Sequence, residues 1–125
     1  NTVLSWTNIS YKDWELVKKF LRGPTTIILP VKEGIVHQSI LGVDGTLGIR
    51  IPSHSFGPDL VGKLGFPITT TSVNKTNQNP LNNSKDIINE FDGQFDLLID
   101  DGNLPVSKGS TIYKLEKSKL IVIRK

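Results

Sequence analysis

Thr70, Thr71, Ser72 and Asn74 bring four uncharged hydrogen-bonding side chains into five positions, and Thr76 and Asn77 follow at once. They close a run that begins Phe66-Pro67-Ile68-Thr69. The Gly65-Phe66-Pro67 turn signal and the β-branching after it predict a central strand that hands these groups to a loop. Hydroxyls and amides at a strand end suit the oxygens of a phosphate or of a small polar ligand. The same residue types also make an ordinary polar turn, because their side chains satisfy nearby backbone groups.

A second element weighs toward a ligand. In Thr46-Leu47-Gly48-Ile49-Arg50-Ile51, apolar Leu47, Ile49 and Ile51 alternate with Thr46, Gly48 and Arg50. Period two puts Thr46 and Arg50 on one face of a strand, flanking a position without a side chain. A guanidinium there can grip a carboxylate or phosphate through two parallel hydrogen bonds. The plainer alternative is an edge-strand Arg that discourages aggregation.

The elements that must position these residues follow from the rest of the chain. Ser10 with Asp13 three residues later marks a helix start, with Ile9 placed as a hydrophobic staple. Trp14, Val17, Phe20 and Leu21 then share a face, so a helix is predicted over 11–21, closed by Gly23-Pro24. Trp14 is read as core. Thr25 to Leu29 is predicted as a strand ended by Pro30. His37 has no partner at ligand spacing and is read as structural or solvent-facing. Gly57-Pro58-Asp59 opens a short helix to Leu64 with Gly65 as its stop, and Ser84 opens another through Phe91, stopped at Gly93. Phe95 to Asp100 is predicted as a strand and Asp100-Asp101-Gly102 as a tight turn whose two acids could also meet a cation. Ile112 to Lys114 and Leu120 to Arg124 complete the strands, the last predicted as the most buried because its apolar run is continuous. Strands interleaved with short helices give an α/β or α+β domain with a mixed sheet.

Composition narrows the function. The chain has 125 residues, one domain's worth, with 37% hydrophobic residues, enough for a globular core. No run approaches the roughly 18 apolar residues of a membrane span. There is no cysteine, so disulfides and thiolate metal sites are excluded. The net charge of +3 is a mild basic bias, with Lys dense only from Lys114 to Lys125. That tail suits a polyanion or a solvated strand equally well. No phosphate-binding G-x-x-x-x-G-K-[S/T], no G-x-G-x-x-G, no G-x-S-x-G and no His–acid pair at dyad spacing occurs.

Read in order, Gly23-Pro24-Thr25-Thr26-Ile27-Ile28-Leu29-Pro30, then Gly45-Thr46-Leu47-Gly48-Ile49-Arg50-Ile51-Pro52-Ser53-His54, then Thr71-Ser72-Val73-Asn74, then Ser110-Thr111 with Ile123-Arg124, resemble one family. They are similar to the YrdC-type L-threonylcarbamoyladenylate synthases, and the likeness spans nearly all of the chain. The resemblance implies a YrdC-like twisted mixed β-sheet with short flanking helices, one domain over 1–125. It implies formation of threonylcarbamoyl-AMP and pyrophosphate from L-threonine, bicarbonate and ATP with Mg²⁺. The product would pass to a partner complex that modifies tRNA, in the cytoplasm and away from membranes, with contact to tRNA or double-stranded RNA.

Carried over by position, Thr46, Ser72, Asn74, Pro80 and Arg124 match ATP-contacting residues, and Arg50, Thr70 and Ser110 match threonine-contacting ones. Arg50, Ser72 and Asn74 are the residues expected to carry catalysis, by positioning and charge stabilisation. No protein metal ligand is implied. The loop after Asn74 departs from the family, with Lys75-Thr76-Asn77 where a small residue, Ser and Gly are usual. The family's K-x-R signature is absent: none of Arg22, Arg50 and Arg124 has a Lys two positions earlier. With no Met and a start at Asn1, the chain is expected to be the carboxy-terminal two-thirds of the domain, with apolar surface exposed. Two other functions fit the same chain: a non-catalytic RNA-binding module of this fold, and a relative that handles carbamoyl-adenylate. Arg50 with Thr70 and Ser110 favours an amino-acid pocket over the RNA module.

Overall fold

A computed structural model describes residues 2–102, 104–105 and 109–125, which form two compact units, 1–67 with 110–125, and 68–109. The first is built on a four-stranded mixed sheet. Its strands are β1 (Thr25–Pro30), β2 (Thr46–Arg50), β3 (Thr111–Glu116) and β4 (Lys119–Arg124), in the order β2-β1-β3-β4. β1 runs antiparallel to β2 and parallel to β3, and β3 and β4 form an antiparallel hairpin.

Two helices precede the sheet: α1 (Thr2–Trp6), which the sequence did not signal, and α2 (Tyr11–Phe20). α2 begins as its capping box dictates. The Ser10 hydroxyl accepts from the Asp13 amide at 3.1 Å and donates to the Asp13 carboxylate at 2.8 Å. Thr7 bridges to Val31 in antiparallel fashion, and the Lys32 amide donates to the Trp6 carbonyl at 2.8 Å, which ties the amino-terminal segment to the end of β1. α3 (Phe56–Leu64) ends on Gly65 in the left-handed region, the stop its sequence calls for.

The core follows from pairing periods. α2 presents Trp14 and Val17 with Leu21 just beyond its end, and alternate residues of β1 and β2 (Ile27, Leu29, Ile49) meet them. Val17, Ile27 and Leu29 are fully buried. Each such side chain contributes roughly 1.5–3 kcal/mol by leaving water.

Four expectations are corrected. β4 is not the buried strand. It lies at the sheet edge with one neighbour, and Ile121, Val122 and Ile123 are 43%, 44% and 56% exposed. The buried strand is β1, paired on both sides and covered by α2. The stretch 66–74 is not a strand, and neither is 95–100; both are irregular. Their β-branched and apolar residues had the right composition but no sheet neighbour to complete a ladder. Phe66, Ile68, Leu97 and Ile99 are accordingly exposed. The helix at 84 is capped by Asn83, whose side chain accepts from the Asp86 amide at 2.9 Å, rather than by Ser84.

The second unit holds α4 (Ser84–Phe91) and two irregular arms. Asn82 and Leu104 exchange two hydrogen bonds, amide to carbonyl at 3.2 Å and side chain to carbonyl at 2.8 Å. The Leu81 amide donates to the Val73 carbonyl at 2.8 Å, and Lys75 pairs with Glu90 on α4. Asn1 lies outside the described residues.

Candidate functional site

The sheet has two faces. One carries Ile27, Leu29 and Ile49 into the core. Pairing register puts Thr26, Ile28, Gly48, Arg50, Ile112, Lys114 and Arg124 on the other, since directly opposed residues share a face. Arg50 opposes Thr26, Thr26 opposes Ile112, and Ile112 opposes Arg124, so the two arginines stand in one row across all four strands. Three strand spacings separate them, roughly 14 Å between backbones.

Arg50 is held at its root. Its Nε donates to the Gly23 carbonyl at 3.2 Å. Gly23 has φ +62°, so the turn that aims this carbonyl favours glycine, and a Cβ there would also crowd the Ser53 hydroxyl at 3.0 Å. Among the described residues the remaining guanidinium nitrogens have no protein partner, which leaves the outer edge of the fork open. That edge suits a carboxylate or phosphate oxygen pair.

Beside it, the Thr26 and Ser110 hydroxyls lie 2.7 Å apart, half-buried, across 84 positions of sequence. The Ser110 carbonyl in turn accepts from an Arg124 terminal nitrogen at 3.1 Å. The Thr111 amide donates to the Pro24 carbonyl at 2.9 Å, fixing 110–111 against the start of β1. Arg50, Thr26, Ser110 and Arg124 thus form one cluster at the end of the sheet where β1 and β3 begin. Arg124 reaches it from the exposed edge strand, not from the buried strand expected.

Thr46, four pairs along β2 from Arg50, is engaged within the protein. Its hydroxyl donates to Asp44 Oδ1 at 2.7 Å, and Asp44 Oδ2 meets Lys114 Nζ at 2.9 Å. The Thr46 hydroxyl first, and the Lys114 ammonium second, hold the Asp44 carboxyl down at about 2. Lys114 also meets Glu116 at 3.2 Å, and its own pKa is raised, by Asp44 above all. In the sequence, Val43-Asp44-Gly45 signals only a turn at Asp44.

The second unit carries Thr70, Ser72, Asn74 and Pro80 on irregular chain, with Thr70 and Ser72 exposed. Asn74 donates to the Lys75 carbonyl at 2.9 Å, while its Oδ1 is shut off from solvent with no hydrogen-bond partner among the described residues. A hollow of about 240 Å³ opens beside Asn74, Leu81, Glu90 and Phe91. The Asp100 carboxylate accepts from the Gly102 amide at 2.8 Å, the turn its sequence predicts. Among the described residues no three acids or histidines gather as a metal site. His37 caps the short turn Gln38–Ile40, accepting from the Ser39 amide at 3.2 Å, a structural role as expected.

Comparison with known proteins decides the family. The family model Sua5_yciO_yrdC, described as "Telomere recombination", matches residues 1–125. The chain belongs to this family. A putative threonylcarbamoyl-AMP synthase of Methanocaldococcus jannaschii is 39% identical over 111 residues, which are 88% of this chain and 50% of that protein. Threonylcarbamoyl-AMP synthase of Pyrococcus abyssi is 28% identical over 109 residues, 87% of this chain and 32% of that one. Among solved structures, E. coli YciO superposes with a TM-score of 0.86 at 25% identity, covering 98% of this chain and 60% of its own. P. abyssi Sua5 complexed with L-threonine superposes at 0.83 with 25% identity, covering 98% and 36%. This Sua5/YciO/YrdC chain therefore spans half or less of the curated relatives it matches. The resemblance carried by its glycine, threonine and arginine motifs holds at the level of family and fold. No helix among the described residues is long and apolar enough to cross a membrane.

Proposed function

We propose that the chain carries threonine- and nucleotide-binding parts of a threonylcarbamoyl-AMP synthase. The observation that carries this is the Arg50 fork, pinned by the Gly23 carbonyl and left open beside the Thr26–Ser110 hydroxyl pair. A free amino acid offers a carboxylate for the guanidinium and an ammonium or amine for a hydroxyl oxygen, and this cluster supplies both. Curated relatives named threonylcarbamoyl-AMP synthase, and a Sua5 structure with bound L-threonine, support threonine as that amino acid.

In the reaction the threonine amine adds to the carbon of bicarbonate with loss of water, giving a carbamate. One carbamate oxygen then attacks the α-phosphorus of ATP, and the bond to the pyrophosphate leaving group breaks. In the first unit Arg50 holds the threonine carboxylate, Ser110 orders the rest of the amino acid, Arg124 offsets phosphate charge and Thr46 contacts the nucleotide. In the second unit Thr70 is assigned to threonine, and Ser72, Asn74 and Pro80 to the nucleotide. Thr46 makes its contact only by giving up Asp44 as its acceptor, because an anionic carboxylate disfavours a neighbouring phosphate. Mg²⁺ would come with ATP as part of the substrate and screen its phosphates, and the hydroxyls, amides and guanidinium groups of this chain suit the nucleotide rather than the metal. Delivery of the product to a tRNA-modifying partner, contact with RNA and a cytoplasmic setting belong to the same proposal.

The test is pyrophosphate release from ATP and bicarbonate with and without L-threonine. Release that requires threonine is expected. Release indifferent to threonine would move the chain to the carbamoyl-adenylate relatives, and no release would overturn synthase activity for this chain.

A further inference from the structure

We propose that Thr26 is a positioning residue: it orients the Ser110 hydroxyl toward the amino acid that Arg50 holds. The inference rests on the threonine reading above and adds a residue to it. Three observations meet at Thr26. Its hydroxyl lies 2.7 Å from Ser110 Oγ in a half-buried setting, where a lost partner is costly. It stands directly opposite Arg50 in the β1–β2 register, so it shares that residue's face as its immediate cross-strand neighbour. Its methyl group points toward the gap at Gly48, where an added Cβ would lie 3.3 Å from Thr26 Cγ2.

The place of the methyl over Gly48 and the hydroxyl bond together favour one χ1 rotamer of a side chain that β-branching already makes stiff. A serine hydroxyl rotates freely and can donate once and accept twice. Sharing one hydrogen bond with a fixed threonine removes most of that freedom. When Thr26 donates, Ser110 keeps its own proton for a ligand carboxylate. When Thr26 accepts, Ser110 keeps its lone pairs for an ammonium. Either way the ligand meets a hydroxyl already aimed, and the ordering cost of binding falls. The Ser110 backbone is held by its Arg124 contact and by the Thr111–Pro24 bond next to it, whereas its hydroxyl has Thr26 as its hydrogen-bond partner among the described residues.

Calorimetric titration of L-threonine into the 125-residue chain tests this with Thr26→Val, Thr26→Ser, Ser110→Ala and the double variant Thr26→Val/Ser110→Ala. Thr26→Val keeps shape and suits a strand, and Thr26→Ala repeats the comparison should valine disturb the fold. Thr26→Val and Ser110→Ala are each expected to weaken binding about three- to ten-fold, the worth of one hydrogen bond. The double variant is expected to be no weaker than Ser110→Ala alone, and Thr26→Ser to recover most of the affinity. A purely structural role would lower thermal stability without that non-additivity or that rescue. Wild-type affinity in Thr26→Val, or losses that simply add, would overturn the positioning role while leaving the threonine reading intact. A wild-type chain that ignores L-threonine would overturn both.

Discussion

Arg50 and Arg124 lie in a single row across the sheet, at opposite edges, with Thr26 and Ile112 between them. On the proposed function the two cations serve different groups, a carboxylate for the fork at the β2 edge and phosphate oxygens for the fork at the β4 edge. Arg50→Lys keeps the charge and loses the fork and the Gly23 bond, so L-threonine binding should fall at least about ten-fold. Arg124→Lys should leave threonine binding within about two-fold and weaken ATP binding instead. Titrating each variant with each ligand checks the division.

The Asp44 carboxylate gives a pH prediction. Its folded pKa lies near 2, below the ordinary 3.8, mainly through the Thr46 hydroxyl and next through Lys114. A depressed acid stabilises the fold above its unfolded pKa and loses that contribution as pH falls through the folded one, so the window runs from about 4 down to about 2. Carboxyl-detected NMR titration should find Asp44 protonating near the bottom of this window. Thr46→Val should raise its midpoint more than Lys114→Gln does; the reverse order would contradict the assignment.

The core is on β1 and not on β4. Leu29, fully buried, should cost roughly 2–5 kcal/mol when cut to Ala, including the cavity left behind. Ile123 is 56% exposed, and Ile123→Ala should stay within about 0.5–1 kcal/mol. Urea unfolding of the pair checks this. Equal losses would mean that β4 is covered in solution.

The β3–β4 hairpin turns on Lys117 and Ser118, with φ of +46° and +60°, the signs a two-residue primed turn requires. Neither is glycine or asparagine, so each holds the left-handed region at a cost. Lys117→Gly should stabilise the chain by up to about 1 kcal/mol, read as a rise in thermal midpoint. Ser118 is the poorer choice for this change, because it helps lower the pKa of the Asp13 carboxyl beside the α2 cap.

Where the sequence is legible, local chemistry and period agree. Ser10 with Asp13 announces α2, Trp14 and Val17 announce its buried stripe, and alternation along Thr46–Arg50 by itself sets Arg50 opposite the core face. Where it misleads, composition stands in for neighbours. The runs 66–74 and 95–100 have strand-like residues but no ladder partner, and Leu120–Arg124 has a core-like run at a sheet edge. Strand pairing is non-local, and nothing in those segments encodes it. The same limit hides Thr26: buried Ile27 and Leu29 place it on the Arg50 face, but only the parallel pairing of β1 with β3 brings Ser110, 84 residues away, to its hydroxyl.

The central claim is that the open fork of Arg50 receives the carboxylate of L-threonine. Titrating the wild-type chain with L-threonine and with L-threonine methyl ester, which keeps the amine and side chain but lacks the carboxylate charge, tests it most directly. Binding of the free acid, loss of at least about ten-fold for the ester, and no further ester discrimination in Arg50→Ala are predicted. Equal affinity of the wild-type chain for acid and ester would contradict the claim.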